Sequence, residues 1–303
     1  MKTDKKISVV VSAFNEEKKI KDCLNSVRWA DEIIFVDNSS TDDTKKIASG
    51  FTSKIFTREN NLMLNVNKNF GFSKATGDWI LCLDADEQIP VELKDEILSI
   101  LSLDIDVVGY WIARKNIIFG KWIEHSGWFP DHQMRLFRRG TGKFQEQHVH
   151  EMIQVQGKTE YLKKPMIHNS YETIFQFLHK TITIYAPNEA KELVRKGYVF
   201  NYLDSLRFPV KEFTSRFFAR EGYKDGFHGL MLSFFMAFYH FIVFSFIWEQ
   251  GGFKKMESVD VLSDIETDSK KVKEEMSYWI LKEKIKRTKN PLLKLLVKIK
   301  SKF

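Results

Sequence analysis

Trp79-Ile80-Leu81-Cys82-Leu83-Asp84-Ala85-Asp86-Glu87 is the stretch on which the fold turns. Its first half is an unbroken apolar run, as in a parallel strand buried on both faces. It ends in two aspartates separated by one residue. Ligands of open α/β sheets bind beyond the carboxyl ends of the strands, so a candidate site belongs here. Two carboxylates at one strand end repel each other unless a cation lies between them. Mg²⁺ and Mn²⁺ take oxygen ligands and share them with substrate phosphates. An acidic turn leading into the next helix is the plainer alternative for the same residues.

The chain on either side repeats the pattern. Ile7 to Ala13 is a continuous β-branched run and Glu32 to Val36 a second strand closed by Asp37. Between them Ile20, Leu24 and Val27 share one helical face, with Asn15 as the expected cap. Ser39 to Thr41 are expected to cap a second helix that stops at Gly50. A short strand at Lys54 to Thr57 and a helix near Val66 to Thr76 precede Gly77. Pro90 opens a further helix with Leu93, Ile97 and Leu101 inward. Strand–helix alternation of this kind predicts an α/β fold with a mostly parallel sheet flanked by helices. After about residue 105 it loosens. Val107 to Ala113, Gln133 to Arg138, Val149 to Val155 and Lys164 to His168 are strand candidates, and Trp122, Trp128 and Phe129 mark a long aromatic loop. From about Glu172 the pattern is helical.

Length and composition bound the function. A chain of 303 residues that is 43% hydrophobic holds one large domain with an appendage, or two modest ones, and is not generally disordered. The formal charge of +7 makes phosphates or an anionic membrane plausible partners. The basic residues do not gather in a nucleic-acid module, which argues against nucleic acid as the partner. Cys23 and Cys82 fall on apolar positions, as buried thiols of a reducing compartment do. Met1 to Ile7 is charged and lacks an apolar core of signal-peptide length, so the chemistry is expected in the cytoplasm.

Three strand ends thus supply polar groups to one sheet edge: Ser12 to Glu16, Asp37 to Thr41, and Asp84 to Glu87. Val11-Ser12-Ala13-Phe14-Asn15-Glu16, Val36-Asp37-Asn38-Ser39-Ser40-Thr41-Asp42 and Gly77-Asp78-Trp79-Ile80-Leu81 leading into Asp84-Ala85-Asp86 resemble the family 2 glycosyltransferases, across about residues 7 to 170. Within that family the likeness is to the lipopolysaccharide-core group, carried by Asp131 to Arg139, Val149-His150-Glu151, and His168 with Ser170-Tyr171. The resemblance implies a GT-A fold and a nucleotide pocket lined by Ala13, Phe14, Asn15 and Glu16, with Asp37 on the base or ribose. It implies a DxD pair in which Asp86 binds a divalent metal, Mn²⁺ or Mg²⁺, and Asp84 reaches the ribose or a metal-bound water. His168 is a further metal-ligand candidate, or else a satisfied histidine at a strand end. Relatives often carry Arg-Asn before the DxD strand. Lys68-Asn69 stands here, which keeps the charge without the planar fork.

Inverting transfer needs a base for the acceptor hydroxyl. Glu151 sits where the family's catalytic acid commonly falls. His150 and Asp131 are the other candidates, because the usual Glu-Asp pair is His-Glu here. Arg135, with Arg138 or Arg139, could steady the diphosphate, although alternation puts Arg135 and Arg139 on one face and Arg138 on the other.

Leu230 to Trp248 is apolar over nearly the length of a bilayer span, but Ser233, Tyr239, His240 and Ser245 favour a helix lying in the interface. Asn290 to Phe303 reads as a basic amphipathic helix suited to anionic lipid headgroups. The expected division is a GT-A catalytic domain over 1–170, a helical region over 171–253 with its membrane-associating helix at 229–248, and a charged tail over 254–303. The expected activity is inverting transfer from a nucleotide sugar donor, UDP-linked, to a lipid-linked glycan acceptor such as lipopolysaccharide or lipooligosaccharide core. It is placed at the cytoplasmic face of the inner membrane, on the membrane surface as a peripheral or monotopic protein. Transfer to a polyprenyl phosphate and a non-catalytic membrane adaptor are the alternatives. A sugar-nucleotide pyrophosphorylase would carry a Gly-rich basic loop where Phe14-Asn15-Glu16-Glu17 stands.

Overall fold

The computed structural model describes residues 5–61, 64–103, 106–146, 151–254 and 261–287. His150, Val149 and the stretch Asn290 to Phe303 lie outside the described residues. The chain divides into two compact units. One comprises residues 1–118 and 129–170, the other 119–128 and 171–303.

The first unit is a mixed sheet with helices on it. Its first half holds β1 (Ile7–Ala13), α1 (Ile20–Ser26), β2 (Glu32–Asp37), α2 (Thr44–Ala48), β3 (Ile55–Thr57), α3 (Leu64–Lys74), β4 (Trp79–Asp84), β5 (Glu87–Gln88) and α4 (Val91–Leu101). A long strand β6 (Gly109–Ile118) follows; after the two-residue β7 (Lys121–Trp122) in the other unit come β8 (Asp131–Arg138), β9 (Gly142–Lys143), β10 (Gln154–Val155), β11 (Thr159–Tyr161) and β12 (Met166–Tyr171). The main sheet runs β3-β2-β1-β4-β8-β6-β12-β5. Strands β1 to β4 are parallel, as the alternation predicts. Beyond β4 the pairing turns antiparallel at β8, which returns from β6 without a crossover helix and inserts between β4 and β6.

The core lies on both faces of β1, β2 and β4, whose side chains are buried almost throughout. Ile20, Leu24 and Val27 close one face together with Leu93, Ile97 and Leu101 of α4. On the other face α3 sits so close that a Cβ on Gly71 would lie 2.5 Å from a Val10 methyl carbon. Only glycine lets that helix approach, and the approach carries Asn67 and Lys68 to the sheet edge.

Two helix starts differ from expectation. The cap position of α1 is Lys19 and that of α2 is Asp43, neither with a side-chain cap. Asn15 instead adopts φ 53° and ties the ends of β1 and β2 together: its Oδ1 accepts from the Thr41 amide at 2.8 Å. Of the Val149 to Val155 candidate, the described residues 151–155 form strand at Gln154–Val155.

The second unit is helical: α5 (Ile174–Lys180), α6 (Ala186–Arg195), α7 (Asp204–Thr214), α8 (Phe227–Gln250) and α9 (Val261–Arg287), with π-helical turns at Thr181–Tyr185 and Ser215–Ala219. A capping box between Thr173 and Gln176 starts α5. The most apolar 18-residue stretch of the long α8 has a mean hydropathy of 2.1. One side of it, with Val243, Phe244 and Ile247, packs on Ala186 and Ala190 of α6. Phe227, Phe234, Phe241 and Trp248, spaced seven apart, are exposed along its length with Phe238. Seven residues are nearly two helical turns, so they form one aromatic stripe.

Candidate active site

Register builds the site. Ala13 pairs with Asp37, and Ser12 with both Val36 and Asp84, so the ends of β1, β2 and β4 lie side by side. Each strand delivers its polar residues to the same edge, where an open sheet takes its ligands.

Asp84 is held by two cations. Lys68 donates to one carboxylate oxygen, and Nη2 of Arg135 donates to the other at 2.5 Å. The same nitrogen reaches Oε1 of Glu87 at 2.7 Å, and Oε2 of Glu87 accepts the Asp84 amide at 3.0 Å. Glu87 is fully buried. Two carboxylates and two cations thus neutralise each other, with Glu87, Arg135 and Lys68 buried and Asp84 partly open to solvent. Burial pushes the Asp84 carboxyl up, but Arg135 and Lys68 outweigh it and hold the group well below the usual carboxylate range. Burial acts in the opposite sense on Arg135, and there Asp84 and Glu87 prevail to raise it further.

Asp86 faces the other way. Its Oδ2 lies 3.6 Å from Nε2 of His168. Strand β12 brings the histidine there, pairing His168 with Glu87 while the Asn169 amide donates to the Asp86 carbonyl at 2.9 Å. Nδ1 of His168 is 2.6 Å from Oδ1 of Asn116, whose amide nitrogen is turned to Asp131 at 3.3 Å. An amide oxygen accepts, so Nδ1 carries the hydrogen, and in its neutral form the ring turns the Nε2 lone pair to Asp86. A carboxylate oxygen and a nitrogen lone pair facing each other beyond hydrogen-bond length fit a divalent cation as a shared partner. Asp84 fits less well as a direct ligand, since both its oxygens are taken. Among the described residues no group of three metal-ligating side chains comes together, so phosphate oxygens or water would complete the shell.

Asp131 is saturated. Arg114 donates to Oδ2 through Nε at 2.8 Å and Nη2 at 2.5 Å, Asn116 reaches the same oxygen, and Gln133 reaches Oδ1 at 2.9 Å. Burial pushes its carboxyl up, but the Arg114 guanidinium dominates and holds it below its ordinary value. Glu151 accepts from Asn65 at 3.1 Å and from the Gln145 amide at 2.8 Å. Asn65 and Lys68 are three apart on α3 and share a face, so the helix links Glu151 to the Asp84 cluster.

At the β1 and β2 ends, Asp37 is buried and accepts the Ser40 amide at 3.1 Å. Ala13 is buried and Phe14 exposed beyond it, while the Glu16 amide donates to Thr44 at 2.7 Å. Oδ1 of Asn38 accepts from Ser12 at 3.1 Å and Asn67 at 2.8 Å, and Nδ2 of Asn38 is buried without a partner among the described residues. Of the three basic residues on or just after β8, only Arg135 reaches the site. Antiparallel pairing puts Arg138 opposite Trp79, at the far end of β4, where it lies over the Trp79 ring, and Arg139 donates to the Gly77 carbonyl at 2.9 Å.

Arg114, Asn116, Glu87 and Asn38 received no role from the sequence. Arg114 and Asn116 did leave a signal: they interrupt the alternate positions Tyr110, Ile112 and Ile118, which are buried on β6. A polar pair on a core-facing row needs partners. Asn38 and Glu87 stood beside recognised residues without a pattern of their own.

An α/β sheet that gathers its polar groups at the carboxyl ends of its parallel strands defines a ligand-binding enzyme fold. Residues 8–157 match the family described as glycosyl transferase family 2. The chain is 30% identical over 250 residues to an uncharacterised glycosyltransferase of Rickettsia typhi, covering 78% of this chain and 85% of that protein. It is 23% identical over 264 residues to the lipopolysaccharide core biosynthesis glycosyltransferase LpsC of Rhizobium meliloti, covering 84% and 96%. Among solved structures, TarS of S. aureus (residues 1–349) aligns with 84% of this chain and 94% of its own at 18% identity and a TM-score of 0.40. The chain belongs to glycosyltransferase family 2 and has the GT-A fold.

Proposed function

We propose that this glycosyltransferase moves a sugar, with inversion, from a nucleotide diphosphate sugar to a lipid-linked glycan such as lipopolysaccharide or lipooligosaccharide core. The observation that carries the proposal is the Asp86–His168 pair, a carboxylate oxygen and an imidazole nitrogen 3.6 Å apart, set against a neutralised Asp84 cluster at the carboxyl end of β4. Ala13 to Glu16 line the nucleotide and Asp37 contacts its base or ribose, with uridine the expected base. Asp86 and His168 would hold Mn²⁺ or Mg²⁺, which supplies positive charge to offset the departing diphosphate. Lys68 and Arg135 keep Asp84 ionised and fixed for the ribose or a metal-bound water. Glu151 takes the acceptor proton. Asp131 is the weaker base, because a carboxylate held low in pKa has little affinity for a proton. His150 stays a candidate from the sequence alone.

The lipid-linked acceptor is supported by the likeness to LpsC and by the aromatic stripe of α8. The opposite side of α8 is committed to protein: Tyr239 donates to Glu189 of α6, and His240 lies 3.9 Å from Glu212 of the next segment. That favours a helix seated in the cytoplasmic interface of the plasma membrane over a span.

Calorimetry tests the reading. UDP, GDP, ADP and CDP are titrated with and without Mn²⁺ into wild type and Asp86→Ala. Binding of one nucleotide that needs the metal and is lost in the variant is the expected result. No binding to folded wild type sinks the proposal in favour of a non-catalytic adaptor. Full activity of Glu151→Gln in an enzyme that Asp86→Ala inactivates would move the acceptor to a polyprenyl phosphate, already an anion and in need of no base. A partial relative, an undecaprenyl-phosphate 4-deoxy-4-formamido-L-arabinose transferase of Sodalis glossinidius, is 29% identical over 160 residues.

A further inference from the structure

The helical unit contains a second polar constellation that the transfer chemistry above does not use. Asp225, 4% exposed, spends its whole carboxylate on the 119–128 segment. It accepts the amides of Glu124 at 3.3 Å and His125 at 2.9 Å, and its Oδ1 lies 3.3 Å from Nδ1 of the His125 ring. Its own carbonyl accepts from Lys121 at 2.6 Å.

The turn beyond is fixed as firmly. Ser126 and Gly127 both have positive φ, 61° and 78°, and the Trp128 amide closes the turn on the His125 carbonyl at 3.0 Å. Arg216 holds the Ser126 carbonyl at 2.8 Å, and the Ser126 amide donates to the Arg220 carbonyl at the same distance. The side chain of Arg220 crosses Gly127, where a Cβ would lie 2.6 Å from a guanidinium nitrogen. That guanidinium has no partner among the described residues, and Arg220 is exposed.

A loop that needs only to connect two strands does not require left-handed residues, a buried carboxylate and two arginines to set its tip. Because Asp225 already accepts two amides, it acts as acceptor toward the ring, and Nδ1 of His125 carries the hydrogen. In its neutral form the partly exposed imidazole presents the lone pair of Nε2, an acceptor for a hydroxyl. The planar fork of Arg220, which crosses the same turn at Gly127 and is unpaired among the described residues, is suited to a carboxylate or phosphate.

We propose that this turn binds an anionic saccharide, Arg220 pairing with its carboxylate or phosphate and Nε2 of His125 accepting from a ring hydroxyl. Asp225 is the positioning residue. That the saccharide is the glycan acceptor rests on the transferase reading; the site itself does not.

The full-length protein carrying ¹³C-labelled histidine is titrated while the His125 ring signal, assigned by His125→Gln, is followed. The probes are glucuronate, inorganic phosphate, glucose, acetate and vesicles of anionic phospholipid. Glucuronate is expected to shift the signal saturably and at least ten-fold more tightly than acetate or glucose, with phosphate also binding. Arg220→Gln is expected to weaken glucuronate at least ten-fold while leaving nucleotide calorimetry unchanged. No shift with soluble anions, a response to vesicles only, or identical titrations of wild type and Arg220→Gln each overturn the proposal. Absence of nucleotide binding in the wild type would break the transferase reading and leave the His125 titration readable.

Discussion

The two ends of the parallel strands both bury a carboxylate and treat it differently. At the amino end Glu32 is satisfied by local groups: Ser8, Lys54 and the backbone and hydroxyl of Thr76. At the carboxyl end Asp84 and Glu87 share Arg135, Lys68 closes the other side of Asp84, and Asp86, two residues on, faces the His168 ring nitrogen across 3.6 Å. The amino-end cluster is complete in itself and acts as structure. The carboxyl-end cluster is complete around Asp84 and unfinished at Asp86, and an unfinished polar pair is where a ligand adds its energy.

Mutations can break this contrast. Asp86→Ala is expected to cost roughly 1,000-fold or more in transfer rate, as loss of charge stabilisation worth several kcal/mol would, with an unchanged Tm. A Tm drop matching that of a structural variant would erase the distinction. Next comes Arg135→Ala, which leaves Asp84 with Lys68 and the fully buried Glu87 with a more distant Arg114 at 3.9 Å. It is expected to destabilise by about 3–5 kcal/mol in denaturant melts, and Arg135→Lys to recover part of that.

Glu32→Gln is expected to cost less, about 2 kcal/mol, with activity retained per folded molecule. Burial pushes the Glu32 carboxyl up, but Lys54, Ser8 and Thr76 prevail and lower it from 4.5 to about 2. A lowered carboxylate pKa gives stability that is present above the unfolded value and lost as pH falls through the folded one. The wild-type advantage over Glu32→Gln should therefore be complete near pH 6 and shrink between about pH 4.5 and 2. An advantage that does not change with pH would refute the ion pairing. Smallest is Glu192→Gln. Its contacts with Arg195 and Lys196 lie on an exposed helix face, and the Tm is expected to stay within error.

The helical unit extends the comparison. Its α8 is apolar enough by composition to span a bilayer, yet its packed side holds Val243, Phe244 and Ile247 against α6 and leaves the aromatics on one exposed stripe. Hydropathy along a chain counts both faces alike, and only packing tells which face is already covered.

Strand and helix order through β4 was legible, because apolar runs and the α4 stripe report burial directly. So were the three polar strand ends, since each follows its run immediately. The antiparallel half was less so: β8 returns from β6 without a crossover helix, and the register that sets Arg138 opposite Trp79 is a long-range property.

By itself the sequence determined the parallel half-sheet, the edge at which the site lies, and the residues Asp37, Asp84 and Asp86 on it, because periodicity and strand termini are local. The tertiary structure alone decided which carboxylate is neutralised and which is left facing a ligand position. That depends on Lys68, Arg135, Asn116 and His168, which arrive from four separate elements, and charge pairing is set by distance in space rather than along the chain.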